Sequence, residues 1–181
     1  MIFLSPEQRL GAKEERERYL EHENNPSDPQ YRQFLSQLSL QLTPHLPPGA
    51  HGLDYGAGPE PTLSVMLEEQ GFRMSIYDPF FTPDTLRLNR IYDFITCTEA
   101  VEHFYDPARE FTRMDDLLKP GGWLGIMTEM VTPDNDFKSW WYHRDPTHVC
   151  FYRQETMAWM AGKFSWTLML TRKNVTLFRK P

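Results

Sequence analysis

Long apolar runs are missing from this chain: none approaches the roughly 18 residues of a membrane-spanning helix, and the mean hydropathy is −0.58. The opening Met1-Ile2-Phe3-Leu4 gives way at once to Glu7 and Arg9, too short an apolar stretch for a secretory signal, so a cytoplasmic location is expected and no membrane partner. Cysteine is scarce. Cys97 and Cys150 form no Cys-x-x-Cys pair, which argues for buried, reduced thiols over a disulfide or a zinc knuckle. Basic clusters are absent too, and 19 Lys and Arg against 25 Asp and Glu leave a net charge of −6. A broad phosphate-tracking surface is therefore not expected, nucleic acid is disfavoured as a partner, and a small-molecule acceptor is favoured. Internal repeats and low-complexity tracts are lacking, and the sequence carries no signal of oligomeric state. Apolar residues are not lacking: at 40% hydrophobic and 14% aromatic the chain must collapse around a core, and 181 residues suffice for one.

From Pro6 to Tyr19 charged residues dominate, which predicts an exposed helix with ion pairs at three- and four-residue spacing, ended by Asn24-Asn25-Pro26. A second helix, capped by Ser27 or Asp28, carries Tyr31, Phe34, Leu35, Leu38 and Leu42 at helical spacing and stops at Pro44, Pro47, Pro48 and Gly49. Residues 1–48 thus read as a helical cap on a domain formed by residues 49–181. In that domain short apolar runs alternate with helices, the pattern of an α/β fold with a mostly parallel sheet. Strands are predicted at His51–Tyr55, Arg73–Tyr77, Tyr92–Thr98 and Trp123–Thr128, with helices at Thr62–Gln70, Pro107–Leu118 and Gln154–Ala161. Lys119-Pro120-Gly121-Gly122 reads as a turn, and Phe164–Thr171 with Asn174–Arg179 as an antiparallel hairpin about Arg172-Lys173.

Leu53-Asp54-Tyr55-Gly56-Ala57-Gly58-Pro59 passes from an apolar strand into a glycine-rich turn, where backbone can approach a ligand closely. The glycines alone are a weak signal, a bare strand-to-helix turn being the alternative. The next strand, about 20 residues on, ends in Tyr77-Asp78-Pro79, where a carboxylate can accept both hydroxyl protons of a ribose. Pro61 stands where a dinucleotide fingerprint has its third glycine, so nothing is left to cradle a pyrophosphate, and a nucleoside without phosphates is favoured over NAD.

Together, Asp54-x-Gly56-x-Gly58, Asp78, the strand Tyr92-Asp93-Phe94-Ile95 and Leu117-Leu118-Lys119-Pro120-Gly121-Gly122 resemble class I methyltransferases of the Rossmann-like type, in order over about residues 50–130. That resemblance implies S-adenosylmethionine as cofactor, with Asp54, Gly56, Ala57 and Gly58 around its methionine part and Asp78 on its ribose. Pro79 and Thr98, at neighbouring strand ends, are grouped with them. One departure stands out. Only Pro79 to Ile91 separates two strands between which the family fits a helix, a strand and another helix. An edge strand is therefore expected to be absent, which puts the usual adenine loop in question and leaves Phe80 or Phe81 to stack on the base.

Glu99-Ala100-Val101-Glu102-His103 follows the third strand directly, and in a helical turn positions 99, 102 and 103 share a face. Two carboxylates and an imidazole on one face can converge on a cation; a solvated helix start is the alternative. Glu-x-x-Glu-His at this place resembles the metal-dependent O-methyltransferases of ubiquinone biosynthesis and of small-RNA 3′-end methylation. What that implies is a divalent metal on Glu99, Glu102, His103 and a histidine from the loop after the next strand, here His148, with His143 as the fallback. The donor set suits Mn²⁺ or Zn²⁺ as well as Mg²⁺ and leaves the metal's identity open. Without a metal, His103, His143 or His148 is the candidate general base.

Trp140 to Asp145 form an aromatic and charged loop that reads either as an acceptor-facing lid or as core packing. Tyr19, His22, Tyr31 and Arg32 are candidates to close the site from the cap, with Arg32 a possible partner of the cofactor's carboxylate. The leading expectation is methyl transfer to a hydroxyl of a small molecule. Its rival is a cofactor-binding regulator without turnover, for which the acidic and histidine cluster would have no use.

Overall fold

The computed structural model describes residues 1–21, 25–134 and 137–181; His22 and Asn24 lie outside the described residues. The chain runs β1 (Ile2–Phe3), α1 (Ala12–Tyr19), α2 (Pro29–Leu42), β2 (His51–Tyr55), α3 (Thr62–Glu68), β3 (Arg73–Tyr77) and β4 (Tyr92–Thr98). It continues with α4 (Pro107–Leu117), β5 (Leu118–Met127), β6 (Cys150–Phe151), α5 (Gln154–Phe164), β7 (Thr167–Arg172) and β8 (Val175–Arg179). Six strands form one sheet in the order β3-β2-β4-β5-β8-β7, parallel from β3 to β5 and antiparallel through β8 and β7. β3 is the edge strand, and only a 3₁₀ turn at Thr85–Asn89 lies between it and β4, so the edge strand expected to be absent is absent among the described residues.

Strand alternation divides the core between the two faces of this sheet. Ile95, Cys97, Leu124 and Ile126 point to the side covered by Phe111 and Met114 of α4 and Met157 and Met160 of α5. Phe94, Trp123 and Met127 point to the other, against Leu35, Leu38 and Leu42 of α2 and Leu63 and Leu67 of α3. α2 starts as its sequence predicts, with Pro29 in the first turn and the Asp28 carboxylate accepting from the Gln30 N–H at 2.8 Å. Both cysteines are free thiols and fully buried. No helix among the described residues is long and apolar enough to cross a membrane.

Several local readings are corrected. The predicted helix Pro6–Tyr19 breaks into a 3₁₀ turn at Pro6–Gln8 and α1, because Gly11 interrupts it as an N-cap. α1 is not wholly exposed either: Glu15 is buried and accepts hydroxyl protons from Tyr19 at 2.6 Å and Tyr105 at 3.1 Å. β5 begins at Leu118, five residues before the predicted Trp123, because Leu118 pairs with Tyr92 while Lys119 to Gly122 bulge opposite Asp93, whose carboxylate pairs with Lys119. α5 continues to Phe164 and ends on Ser165 in the left-handed conformation, which delays the hairpin to Thr167. The apolar start of the chain is a strand in its own right, Ile2 and Phe3 pairing antiparallel with Phe151 and Cys150.

Candidate active site

β2 and β3 end side by side, with Tyr55 opposite Tyr77, and the Gly56 N–H donates to the Tyr77 carbonyl at 2.8 Å. Gly56 (φ 76°) and Gly58 (φ 68°) both adopt left-handed backbone. A Cβ on Gly56 would fall 2.6 Å from the Ala100 side chain, whereas one on Gly58 would meet nothing within 4 Å and would occupy open space in the turn. Asp78, buried at the end of β3, organises this turn. Its Oδ2 accepts from the Gly58 N–H at 2.9 Å, and its Oδ1 accepts from the N–H groups of Phe80 at 2.8 Å and Phe81 at 3.0 Å. The rings of Phe80 and Phe81 lie 5.6 and 6.4 Å from that of Tyr19, and the Arg16 guanidinium lies 5.3 Å over Phe81. α1 therefore lies over the segment that follows Asp78 and Pro79.

Two residues grouped with the cofactor are engaged elsewhere. The buried Asp54 carboxylate accepts from the hydroxyls of Thr96 at 2.8 Å and Ser64 at 3.0 Å, tying β2 to β4 and α3, and burial pushes its pKa up to about 6. Arg32 pairs with Glu69, which follows α3, and donates to the Pro26 carbonyl. At the end of β4, by contrast, Thr98 Oγ1 and Glu99 Oε1 are both buried without a hydrogen-bond partner. Unsatisfied buried oxygens at the C-terminal edge of a parallel strand are what a ligand site leaves behind.

The expected helical face of Glu99, Glu102 and His103 does not form. The chain leaves β4 through Glu99 in left-handed conformation (φ 47°), its N–H donating to the Met127 carbonyl at 2.7 Å, and only a 3₁₀ turn at Val101–His103 follows. Cys150 Sγ and the Tyr152 hydroxyl donate to the Val101 carbonyl, and the Val149 N–H donates to that of Glu102, so the segment after His148 pins the turn. Glu102, His103 and His148 then converge, one ligand atom of each lying within 4.8 Å of the others, while Glu99 stays outside this group. His103 Nδ1 meets the Thr147 carbonyl at 2.9 Å and His148 Nδ1 meets that of Tyr142 at 2.6 Å; a carbonyl only accepts, so both rings carry the proton on Nδ1. The Tyr142 hydroxyl lies 2.5 Å from Glu102 Oε1, 3.0 Å from Thr128 Oγ1 and 3.3 Å from Glu99 Oε2, and the Thr128 hydroxyl donates to Glu102 Oε2 at 2.9 Å. Burial raises the pKa of Glu99 and of Glu102 and lowers that of His148, in the last case against the pull of the Glu102 charge.

His143, the fallback, stands apart, its ring 4.6 Å from that of Phe137 and its Nδ1 buried without a partner. The loop of Trp140 to Asp145 does two jobs: Trp140 packs with Phe151, and Tyr142 reaches the acids. Thr128 was not anticipated. Its signal was available, since it directly follows the C-terminal end of β5, beside Thr98, where Thr98 pairs with Met127.

A parallel sheet with a glycine turn after β2 and an acid after β3, closed at its far edge by the antiparallel β7–β8 hairpin, is the architecture of a class I S-adenosylmethionine-dependent methyltransferase. The chain belongs to that class: the methyltransferase domain family matches residues 27–170. A ubiquinone biosynthesis O-methyltransferase of Leptothrix cholodnii is 49% identical over 37 residues, which is 20% of this chain and only 16% of that protein. Magnesium protoporphyrin IX methyltransferase from Synechocystis PCC 6803, solved with S-adenosylhomocysteine bound, superposes with a TM-score of 0.62 over 94% of this chain and 95% of its own, at 11% identity. Phosphoethanolamine N-methyltransferase 2 of Haemonchus contortus, solved with S-adenosylmethionine, gives a TM-score of 0.57 at 16% identity over 76% of this chain and 38% of its own. These structural likenesses establish the fold.

Proposed function

We propose that this chain transfers the methyl group of S-adenosylmethionine to a hydroxyl oxygen of a small-molecule acceptor, aided by a divalent metal that Glu102, His103 and His148 would hold. The observation that carries the reading is the convergence of these three side chains at the sheet edge, beside the unpartnered oxygens of Thr98 and Glu99. The donor set fits a metal: one carboxylate oriented by two hydroxyls, and two imidazoles whose Nδ1 protons are bound to carbonyls, which directs each Nε2 lone pair outward. An ion bound there supplies Lewis acidity, lowering the pKa of an acceptor hydroxyl. The sulfonium methyl is already activated, so the rest of the work is alignment of the acceptor behind the carbon–sulfur bond. In this reading Gly56, Gly58 and Asp78 hold the nucleoside, Tyr19 with Phe80 and Phe81 keeps water from it, and Tyr142 and Thr128 fix Glu102. The O-methyltransferase name of the Leptothrix cholodnii relative supports a hydroxyl acceptor. A second, metal-independent reading rests on His148, whose Nδ1–H is bound to the Tyr142 carbonyl so that Nε2 is left to take the acceptor's proton.

Melting curves decide between them. Protein purified without a histidine tag should melt higher with Mn²⁺ or Zn²⁺, because a ligand that binds only the folded state stabilises it. His148→Ala should lose that rise and keep its affinity for S-adenosylhomocysteine. If neither metal moves the melting temperature and none copurifies, the metal is excluded and the general-base reading stands.

A further inference from the structure

A cleft of about 710 Å³ opens beyond the C-terminal end of β5, large enough for a drug-sized molecule. Phe34 of α2 and Met130, Val131 and Pro133 supply its apolar wall. Four charged residues also line it: Glu129, which is half-buried, and the exposed Arg153, Glu155 and Lys173. Arg153 immediately precedes α5 and lines the cleft, so the positive end of an 11-residue helix and a guanidinium both border it, an environment that favours an anion. Neither Arg153 nor Lys173 lies within ion-pair distance of a carboxylate among the described residues. Asn174 makes the cleft more than a charged helix start. It lines the cavity, is 4% exposed, and its Oδ1 has no hydrogen-bond partner. Its backbone carbonyl is occupied by the Thr128 N–H at 2.9 Å, which fixes the residue next to the strand end that carries Thr128. A buried amide oxygen needs a donor, and a ligand hydroxyl is one. Glu129, the least exposed of the four charges, is a second acceptor for such a hydroxyl and lies close enough to Glu99 and Glu102 for their charges to influence one another.

We infer that this cleft binds an amphipathic hydroxy acid: hydroxyl inward to Asn174 and Glu129, apolar body against Phe34 and Met130, carboxylate outward to Arg153 and Lys173. None of the residues proposed to hold the metal or the nucleoside lines this cleft, so the inference goes beyond the proposed methyl transfer and is tested apart from it. Three catechols that differ in the terminal group of a two-carbon side chain test it: 3-(3,4-dihydroxyphenyl)propanoate, neutral 4-ethylcatechol and cationic dopamine. Each is titrated calorimetrically into the wild-type complex with S-adenosylhomocysteine and into the Arg153→Gln/Lys173→Gln variant. Both substituted side chains are exposed, and an unchanged affinity for S-adenosylhomocysteine verifies that the variant is folded. The wild type should bind the carboxylate probe about tenfold or more tightly than the neutral one, as charge-assisted contacts require. Dopamine should bind most weakly, and the variant should bring the carboxylate probe to the level of the neutral one. Equal affinities in the wild type, a preference that survives in the variant, or no binding of the carboxylate probe would each overturn the inference. If S-adenosylhomocysteine itself does not bind, the methyl-transfer reading falls, and the same titrations on the protein alone still decide what the cleft prefers.

Discussion

Asp78→Asn is the substitution from which most can be learned. The aspartate carboxylate takes three backbone N–H groups, two on Oδ1 from Phe80 and Phe81 and one on Oδ2 from Gly58. Asparagine keeps an oxygen for the first two and places an NH₂ against the Gly58 N–H, donor against donor, so the glycine turn alone comes loose. One charge-assisted hydrogen bond is worth about 1.5–3 kcal/mol. Because a Cβ on Gly58 would meet nothing within 4 Å, the turn has room to relax in the free protein, and the cost reappears when a nucleoside needs the turn closed. At 1.4 kcal/mol per tenfold, the affinity for S-adenosylhomocysteine should fall by about 10- to 100-fold, with the melting temperature of the free protein lowered by only about 2 °C. Asp78→Ala should do worse on both counts, since it also strands the amides of Phe80 and Phe81. Calorimetry on variants shown to be folded by circular dichroism reads the effect. Unchanged affinity in Asp78→Asn would refute the placement of the nucleoside at this turn.

Tyr142→Phe removes the hydroxyl shared by Glu102 and Thr128 but keeps the carbonyl that orients His148. It should lower the melting temperature by about 5 °C, from a loss near 2 kcal/mol in a chain of this size, and reduce the metal-induced rise without abolishing it, which scanning calorimetry with and without Mn²⁺ resolves. Asp54 makes a pH-dependent contribution of the opposite sense. Its pKa is raised on folding from 3.8 to about 6, so the folded state holds the extra proton between those values and stability falls as pH rises through them. Asp54→Asn cannot ionise, so relative to wild type it should gain up to about 3 kcal/mol between roughly pH 4 and pH 7 in urea denaturation; a difference that does not change with pH would show Asp54 to be unshifted.

How far the site could be read in advance depended on whether its signal was local. The strand bounds of β2, β3 and β4 followed from apolar runs closed by Gly56, Asp78 and Glu99, and the shortened Pro79 to Ile91 link disclosed the absent edge strand directly. The glycine turn was equally legible, since φ values of 76° and 68° are ones glycine adopts without strain. Local spacing misled at Glu99. Helical periodicity put it on a face with Glu102 and His103, but left-handed backbone at the strand exit breaks that face, and Glu99 meets the Tyr142 hydroxyl beside Glu102 instead of joining the three converging ligand atoms, which no spacing rule registers. Arg32 and Asp54 show the converse limit, because their partners Glu69, Ser64 and Thr96 come from other elements and a single-sequence motif names only one side of each pair. The part of Tyr142 was hidden for the same reason: its position in an aromatic loop is local, whereas its hydroxyl's three neighbours are Glu99 just after β4, Glu102 in the turn that follows and Thr128 just after β5.

The most direct test of the account is a crystal structure of the protein grown with S-adenosylhomocysteine and Mn²⁺, with anomalous data collected on both sides of the manganese absorption edge. The account predicts nucleoside density against Gly56, Gly58 and Asp78, together with an anomalous peak bonded by Glu102, His103 and His148. Nucleoside bound away from the glycine turn would contradict the cofactor site, and an empty cluster at saturating Mn²⁺ would contradict the metal.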